Sequence, residues 1–316
     1  MSTELSVVLP VLNEEANIPE VYRRLLAVLP GAVSSFEIVF VDDGSTDRTW
    51  PILSELAATD PRVKGVRFSR NFGHQMAFAA GLDHAAGDAV VIMDADLQDP
   101  PELLPELVAR WREGYEIVYA VRASRAGETF LKKFTAAAFY RTLRRITQVD
   151  IPVDTGDFRL MGRRAVDAFL RMPERHRFTR AMVSWMGFRQ VGVRFQRPPR
   201  HAGETKYHLR RLLRLASDGL VSFSHLPLQI ATWLGILVSA LAVLGFMVAA
   251  GLGLAGVWWR NWVPLFAGLF FLGGVQLWTI GLLGSYVGRI FDEVKRRPLY
   301  LVQETVGKMK ATGNWQ

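Results

Sequence analysis

Short apolar runs recur through the first third of the chain, and each ends abruptly in polar residues. The run L-S-V-V-L (5–9) leads into Pro10-Val11-Leu12-Asn13-Glu14-Glu15, and F-E-I-V-F-V (36–41) into Asp42-Asp43-Gly44-Ser45-Thr46-Asp47. V-V-I-M (90–93) leads into Asp94-Ala95-Asp96-Leu97-Gln98-Asp99, where Pro100-Pro101 stops any extension. Runs this short, bounded by breakers, read as strands buried on both faces. Helical spacing fills the gaps: 18–29, with Pro19 tolerated in the first turn; 46–58, opened by Ser45 or Thr46 as N-cap; and 73–85, whose small residues permit close packing on a sheet. Further strands are expected at 63–68, 117–121 and 188–195, an extended segment at 156–161, and helices at 101–111 and 164–170. Strands alternating with helices give an α/β domain with a mostly parallel sheet, whose ligands bind at the carboxyl ends of the strands. The three polar motifs therefore fall on one rim.

Farther along, the pattern changes. No charged residue occurs between His225 and Arg260, and none between Arg260 and Arg289. A bilayer core needs about 20 apolar residues per helix, so each gap holds a span, placed at 230–252 and 263–287. Trp258, Trp259 and Trp262 in the short connection suit a membrane–water interface. Lys206, Arg210, Arg211 and Arg214 precede the first span, and Arg289, Lys295, Arg296 and Arg297 follow the second. By the positive-inside rule the N-terminal domain and the C-terminus lie in the cytoplasm, and the opening residues carry no secretory signal pattern. Residues 207–223 have one apolar helical face and a basic one, as in a helix lying in the interface plane. The expected organisation is a cytoplasmic catalytic domain at 1–200, a juxtamembrane loop and interfacial helix at 201–227, two transmembrane helices at 228–288 and a cytoplasmic tail at 289–316. Small residues in both spans permit close helix packing and a homo-oligomer.

The 316 residues carry a formal net charge of +8 and no cysteine. Disulfide and thiolate chemistry are thereby excluded. The charge fits anionic partners, but no nucleic-acid-binding module is present and much of the charge borders the spans. Membrane lipid headgroups, rather than nucleic acid, are the expected partner.

The candidate chemistry centres on Asp94 and Asp96. In extended backbone, residues two apart project to the same side, and two such carboxylates repel unless a cation lies between them and a phosphate. Mg²⁺ or Mn²⁺ fits these oxygen ligands, with the Gln98 carbonyl as a third. Taken alone, D-x-D serves equally well as a solvated acidic loop; its place on the rim favours the metal. Arg122, Lys132, Lys133, Arg200 and Lys206 are candidate contacts for nucleotide or lipid phosphate.

The set V-V-L-P-V-L-N-E-E (7–15), V-D-D-G-S-T-D (41–47), F-S-R-N-F-G (68–73), D-A-D-L-Q-D-P-P-E (94–102) and G-D-F-R-L-M (156–161) resembles family 2 glycosyltransferases. More narrowly, it resembles those that load one sugar from a nucleotide sugar onto a polyprenyl phosphate. The resemblance covers essentially the whole chain, including R-H-A-G-E-T-K-Y (200–207). It implies a Rossmann-like GT-A fold and a nucleotide site at Pro10, Asn13, Glu14, Asp42 and Asp43, the last of these shaping its turn. It also implies a metal and diphosphate site at Asp94, Asp96 and Gln98, and a base or acceptor-positioning role for Asp157. Positioning is the expectation here, because a phosphate acceptor is already ionised near neutral pH. The implied reaction is inverting transfer, with UDP-glucose the first donor, to undecaprenyl phosphate or a similar lipid. The implied setting is a bacterial plasma membrane, with a tetramer as the assembly. Two rivals stay open. A processive polysaccharide synthase would carry a Q-x-x-R-W motif, which is missing. A non-catalytic membrane-anchored nucleotide-sugar binder would not need an intact acidic motif together with Asp157.

Overall fold

The computed structural model describes residues 3–122, 155–175, 177–196, 226–254 and 263–309. The chain forms two compact units, Met1–Lys206 with Arg297–Gln316, and Tyr207–Arg296.

In the first unit, β1 (Leu5–Val11), β2 (Phe36–Asp42), β3 (Val63–Phe68) and β4 (Ala89–Ile92) are joined by α1 (Ile18–Ala32), α2 (Thr49–Thr59) and α3 (His74–His84). Then follow α4 (Leu104–Arg112), β5 (Ile117–Arg122), β6 (Thr155–Gly162), α5 (Arg163–Leu170), α6 (Thr179–Trp185) and β7 (Gln190–Phe195). The sheet order is β7-β5-β6-β4-β1-β2-β3-β8, where β8 (Val302–Val306) comes from the end of the chain. Strands β3, β2, β1 and β4 run parallel, while β6 is antiparallel to both β4 and β5. This topology brings the carboxyl ends of β1 to β5 and the amino ends of β6 and β8 to one edge. β1 is buried along its whole length, as its unbroken apolar pattern requires. The small residues of α3 let it lie tight on the sheet: a Cβ on Gly81 would come within 2.0 Å of Val8 Cγ1.

Two local expectations are corrected. The helix expected at 46–58 begins at Thr49. Ser45 is not its cap, because its hydroxyl receives the Asn13 N–H (2.9 Å), and Asp47 instead receives the Thr49 N–H (3.0 Å). The extended path expected through Asp96 is also absent: β4 stops at Ile92 and residues 95–96 form a turn. In addition, residues 302–306, within the expected tail, form an edge strand antiparallel to β3.

The second unit contains α7 (Leu226–Leu254) and α8 (Val263–Lys295). Among the described residues, one stretch, Phe271–Lys295, is long and apolar enough to cross a membrane. It runs on past the expected end at 287 through Arg289, Asp292 and Glu293. Trp233, Met247, Leu277 and Ile280 are among the exposed large apolar side chains of these helices. An apolar surface of this extent marks a contact with lipid or protein. The interfacial helix expected at 207–223 and the connection at 255–262 lie outside the described residues.

Candidate active site

The first two loops of the rim are stitched together. The N–H of Thr46 donates to Asn13 Oδ1 (2.9 Å), that of Glu14 to Thr49 Oγ1 (2.9 Å) and that of Arg48 to Glu15 Oε2 (2.9 Å). Asn13 sits in the left-handed region at φ +56°, a conformation that asparagine tolerates better than most residues. Its side chain is exposed, Glu14 is half-buried and Pro10 is inside β1. Asp42 is fully buried, receiving the Ser45 N–H (2.8 Å) and facing Arg67 Nε (3.5 Å). Asp43 turns the other way, into the 69–73 loop, where it receives the N–H groups of Phe72 (2.6 Å) and Gly73 (3.0 Å). Burial raises its carboxyl pKa, and those two N–H groups oppose the rise. Gly44 has φ +78°, and a Cβ there would lie 2.7 Å from the Arg70 carbonyl carbon. Of the five candidate nucleotide residues, then, Asn13 and Glu14 present polar surface, while Asp42 and Asp43 hold the rim in shape.

The acidic loop is also braced internally. Asp99 is buried and receives the Asp94 N–H (3.1 Å), while Asp96 Oδ1 receives the Gln98 N–H (3.1 Å). Leu97 between them has φ +62°, which costs a leucine roughly 1–2 kcal/mol. Its side chain is buried in the main core, which offsets that strain. Asp94 remains 37% exposed and Gln98 half-buried at the rim, whereas Asp96 is buried. Among the described residues no group of three His, Cys, Asp or Glu side chains could hold a metal ion alone. Asp94 and Asp96 could therefore supply only part of a divalent ion's oxygen shell, with the remaining oxygens left to a bound diphosphate or water.

Asp157 is the third residue of β6, within the segment expected to be extended, and around it stand residues that the sequence did not single out. Arg180, on α6, places Nε 3.0 Å from Asp157 Oδ1, and Arg159, two residues along β6, places a nitrogen 3.8 Å from the same oxygen. His74, the first residue of α3, places Nε2 3.4 Å from Asp157 Oδ2 and 3.7 Å from Asp94 Oδ1. The guanidinium of Arg122 lies over Gly156, where a Cβ would be 3.2 Å from it. Desolvation opposes ionisation of Asp157, but Arg180, the His74 hydrogen bond and Arg159 together hold its carboxyl well below the usual carboxylate range. Desolvation likewise opposes charge on His74, yet its bond to Asp157 and the charges of Asp94 and Asp157 prevail and push it up to about 9. Burial pulls Arg159 down to about 10, so it remains charged. Among the described residues, three cationic side chains, Arg180, Arg159 and His74, thus converge on Asp157, a grouping suited to an anion. His74 directly follows the F-S-R-N-F-G motif and Arg159 lies within G-D-F-R, so both had a sequence cue; Arg180 had none. Lys132, Lys133, Arg200 and Lys206 lie outside the described residues.

A mixed α/β sheet whose carboxyl rim carries two acidic loops and a cation-rich cluster is the architecture of a GT-A enzyme. The chain belongs to glycosyl transferase family 2, whose sequence pattern matches residues 6–170. It is 50% identical over 305 residues to the uncharacterized glycosyltransferase YkcC of Bacillus subtilis (strain 168), covering 96% of this chain and 94% of that protein. It is 41% identical over 303 residues to the bactoprenol glucosyl transferase of Shigella phage SfII, covering 96% of this chain and 98% of that one. Among solved structures it is similar to glucosyl-3-phosphoglycerate synthase from Mycobacterium tuberculosis, at 22% identity and a TM-score of 0.47, over 69% of this chain and 78% of that one.

Proposed function

We propose that this enzyme transfers one sugar from a nucleotide sugar, UDP-glucose first, to undecaprenyl phosphate or a similar polyprenyl phosphate, with inversion at the anomeric carbon. The observation that carries this reading is the 41% identity to a bactoprenol glucosyl transferase over 96% of the chain, which takes in the acidic rim and the apolar helices alike. The convergence of Arg180, Arg159 and His74 on Asp157 supports an anionic acceptor. An oxygen of the lipid phosphate attacks the anomeric carbon from the face opposite the nucleoside diphosphate. The new C–O bond forms as the bond to the diphosphate breaks, and the nucleoside diphosphate leaves with the electron pair. By analogy with phosphoserine the second pKa of a phosphate monoester is about 6, so at neutral pH little proton has to be removed. Both oxygens of Asp157 are engaged, Oδ1 by Arg180 and Oδ2 by His74, which argues for positioning over proton removal. In this reading it fixes Arg180, Arg159 and His74 as a preorganised cradle for the incoming phosphate. Asp94 and Asp96, with Gln98 beside them, would hold a Mg²⁺ or Mn²⁺ ion together with the donor diphosphate. When bound, the ion supplies Lewis-acid stabilisation of the departing charge.

The helix at Phe271–Lys295 supports membrane association, and we read α7 and α8 as a two-span hairpin with both chain ends cytoplasmic. A cysteine placed at Asn261 should then react with an impermeant thiol reagent from outside the cell, and one at Lys310 should not. The activity itself is tested by giving purified protein and undecaprenyl phosphate a panel of UDP-glucose, UDP-amino sugars and GDP-mannose. A glucosyl-phospholipid identified by mass is the expected product; transfer from GDP-mannose alone, or no lipid product with any donor, overturns the reading.

A further inference from the structure

The last described segment reaches the rim as well. Tyr300, just before β8, is buried, and its ring stacks on Phe68 with centroids 4.9 Å apart. Phe68 in turn meets Phe72 edge-on at 5.6 Å, and Phe72 is the residue whose N–H Asp43 receives. The Leu301 carbonyl accepts the N–H of Ser69, the first residue after β3 (3.0 Å). At the far end of α3, the Tyr300 hydroxyl donates to Asp83 (3.1 Å). Burial first, then the Asp83 charge, raises the phenol pKa, so the hydroxyl stays a donor. Tyr300 thus grips both ends of the stretch 68–83, through its ring at Phe68 and its hydroxyl at Asp83. His74 lies on that stretch, between the two grips.

The geometry points to Tyr300 as a positioning residue for transfer: it sets the 69–73 loop and thereby the place of His74 between Asp94 and Asp157. This rests on reading the Asp157 cluster as the transfer site. A strand that merely covered an edge would need only its ladder to β3 and the bond from Trp50 Nε1 to Glu304 (2.9 Å). Apart from the backbone bond of Ser69 to Leu301, neither of those reaches residues 69–73. Tyr300 adds ring contacts through Phe68 to Phe72, two residues before His74 in the chain, and an anchor at Asp83 on the helix that His74 begins.

The test compares full-length Tyr300→Ala, Tyr300→Phe and Glu304→Ala proteins by hydrogen exchange and by transfer kinetics. In Tyr300→Ala the amides of residues 69–76 should exchange about tenfold faster or more. Its kcat should fall about tenfold or more, with the donor KM nearly unchanged, because a shift of the reacting groups costs rate rather than nucleotide affinity. Tyr300→Phe keeps the stacked ring and should recover much of both. Glu304→Ala removes the tie to Trp50 and should leave loop exchange and kcat as in wild type. Unchanged exchange in Tyr300→Ala, or an equal loss of kcat in Glu304→Ala, overturns the proposal. A wild type that transfers nothing to a polyprenyl phosphate overturns the acceptor assignment instead, since exchange reports the order of the loop without turnover.

Discussion

Both ends of the sheet bury carboxylates against cations, yet they are built to different ends. At the amino edge, Glu37 is buried and receives the Ser6 hydroxyl (2.6 Å), the Ala86 N–H (2.6 Å) and the Lys64 ammonium. Nearby in the fold, Asp60 is held by Arg62 (2.8 Å) and the Tyr22 hydroxyl (2.9 Å). Each carboxylate there faces one cation, and donors from the chain complete its bonding. At the carboxyl edge, Asp157 faces Arg180, Arg159 and His74, and His74 is shared with a 37% exposed Asp94. One end shares each carboxylate with one cation and donors of the chain, whereas at the other several cationic side chains gather among the described residues beside a partly exposed carboxylate. Burial of charge alone does not mark a site; the convergence of several charged groups at a partly exposed edge does.

The comparison breaks most readily at the acidic loop. Asp94→Asn or Asp96→Asn should lower transfer by about a hundredfold or more while thermal unfolding stays near wild type. A chelator should do the same to the native enzyme, with added Mg²⁺ or Mn²⁺ restoring it; full activity in excess chelator would sink the metal-dependent reading. Asp157→Asn should also lose most transfer, and because it strands the buried Arg159 it should cost about 3 kcal/mol of stability by denaturant titration. Its remaining rate should be flat with pH above the acceptor's second ionisation, and a profile climbing towards wild type in alkali would assign Asp157 a proton after all. At the opposite edge, Glu37→Ala should cost a similar about 3 kcal/mol, yet leave the rate per folded molecule unchanged.

The smallest effect separates the two ends by pH. Asp60 lies at about 2 because of its bonds to Arg62, so its contribution is full above its ordinary value and is lost as pH falls towards 2. That loss is about 2 kcal/mol in an acid unfolding series. His74 is shifted upward, so its pairing stabilises the fold fully below its ordinary value near 6.5 and is lost as pH rises through about 9. Asp60→Asn should remove part of the acid dependence and leave the alkaline limb intact, whereas His74→Gln should flatten the alkaline limb.

The central strands were readable because burial on both faces leaves nothing but apolar residues, as in β1 and β4, and because proline and acidic motifs end them sharply. The placement of the three motifs on one rim followed from parallel connectivity alone. The turn at 95–96 was not readable, since it depends on Leu97 leaving the extended region to reach the core, and a leucine carries no sign of that. The work of Asp43 was equally hidden: its partners are backbone N–H groups 29 and 30 residues away. Arg180 looks like any surface cation until α6 is folded against Asp157. Strand β8 escaped because V-Q-E-T-V is short and mostly exposed, and its partner β3 lies more than two hundred residues earlier.

That separation has a consequence for how the protein is made. Until residue 306 has left the ribosome, β3 presents a row of unpaired backbone groups on an otherwise finished sheet. At about 5–20 residues per second, the wait between completing β3 and supplying its neighbour is roughly ten to fifty seconds, during which both apolar helices emerge. A nascent chain therefore carries an adhesive flank while both apolar helices are being made. Stop codons or frameshifts just before residue 302 should produce chains that aggregate, rather than chains that are merely shorter.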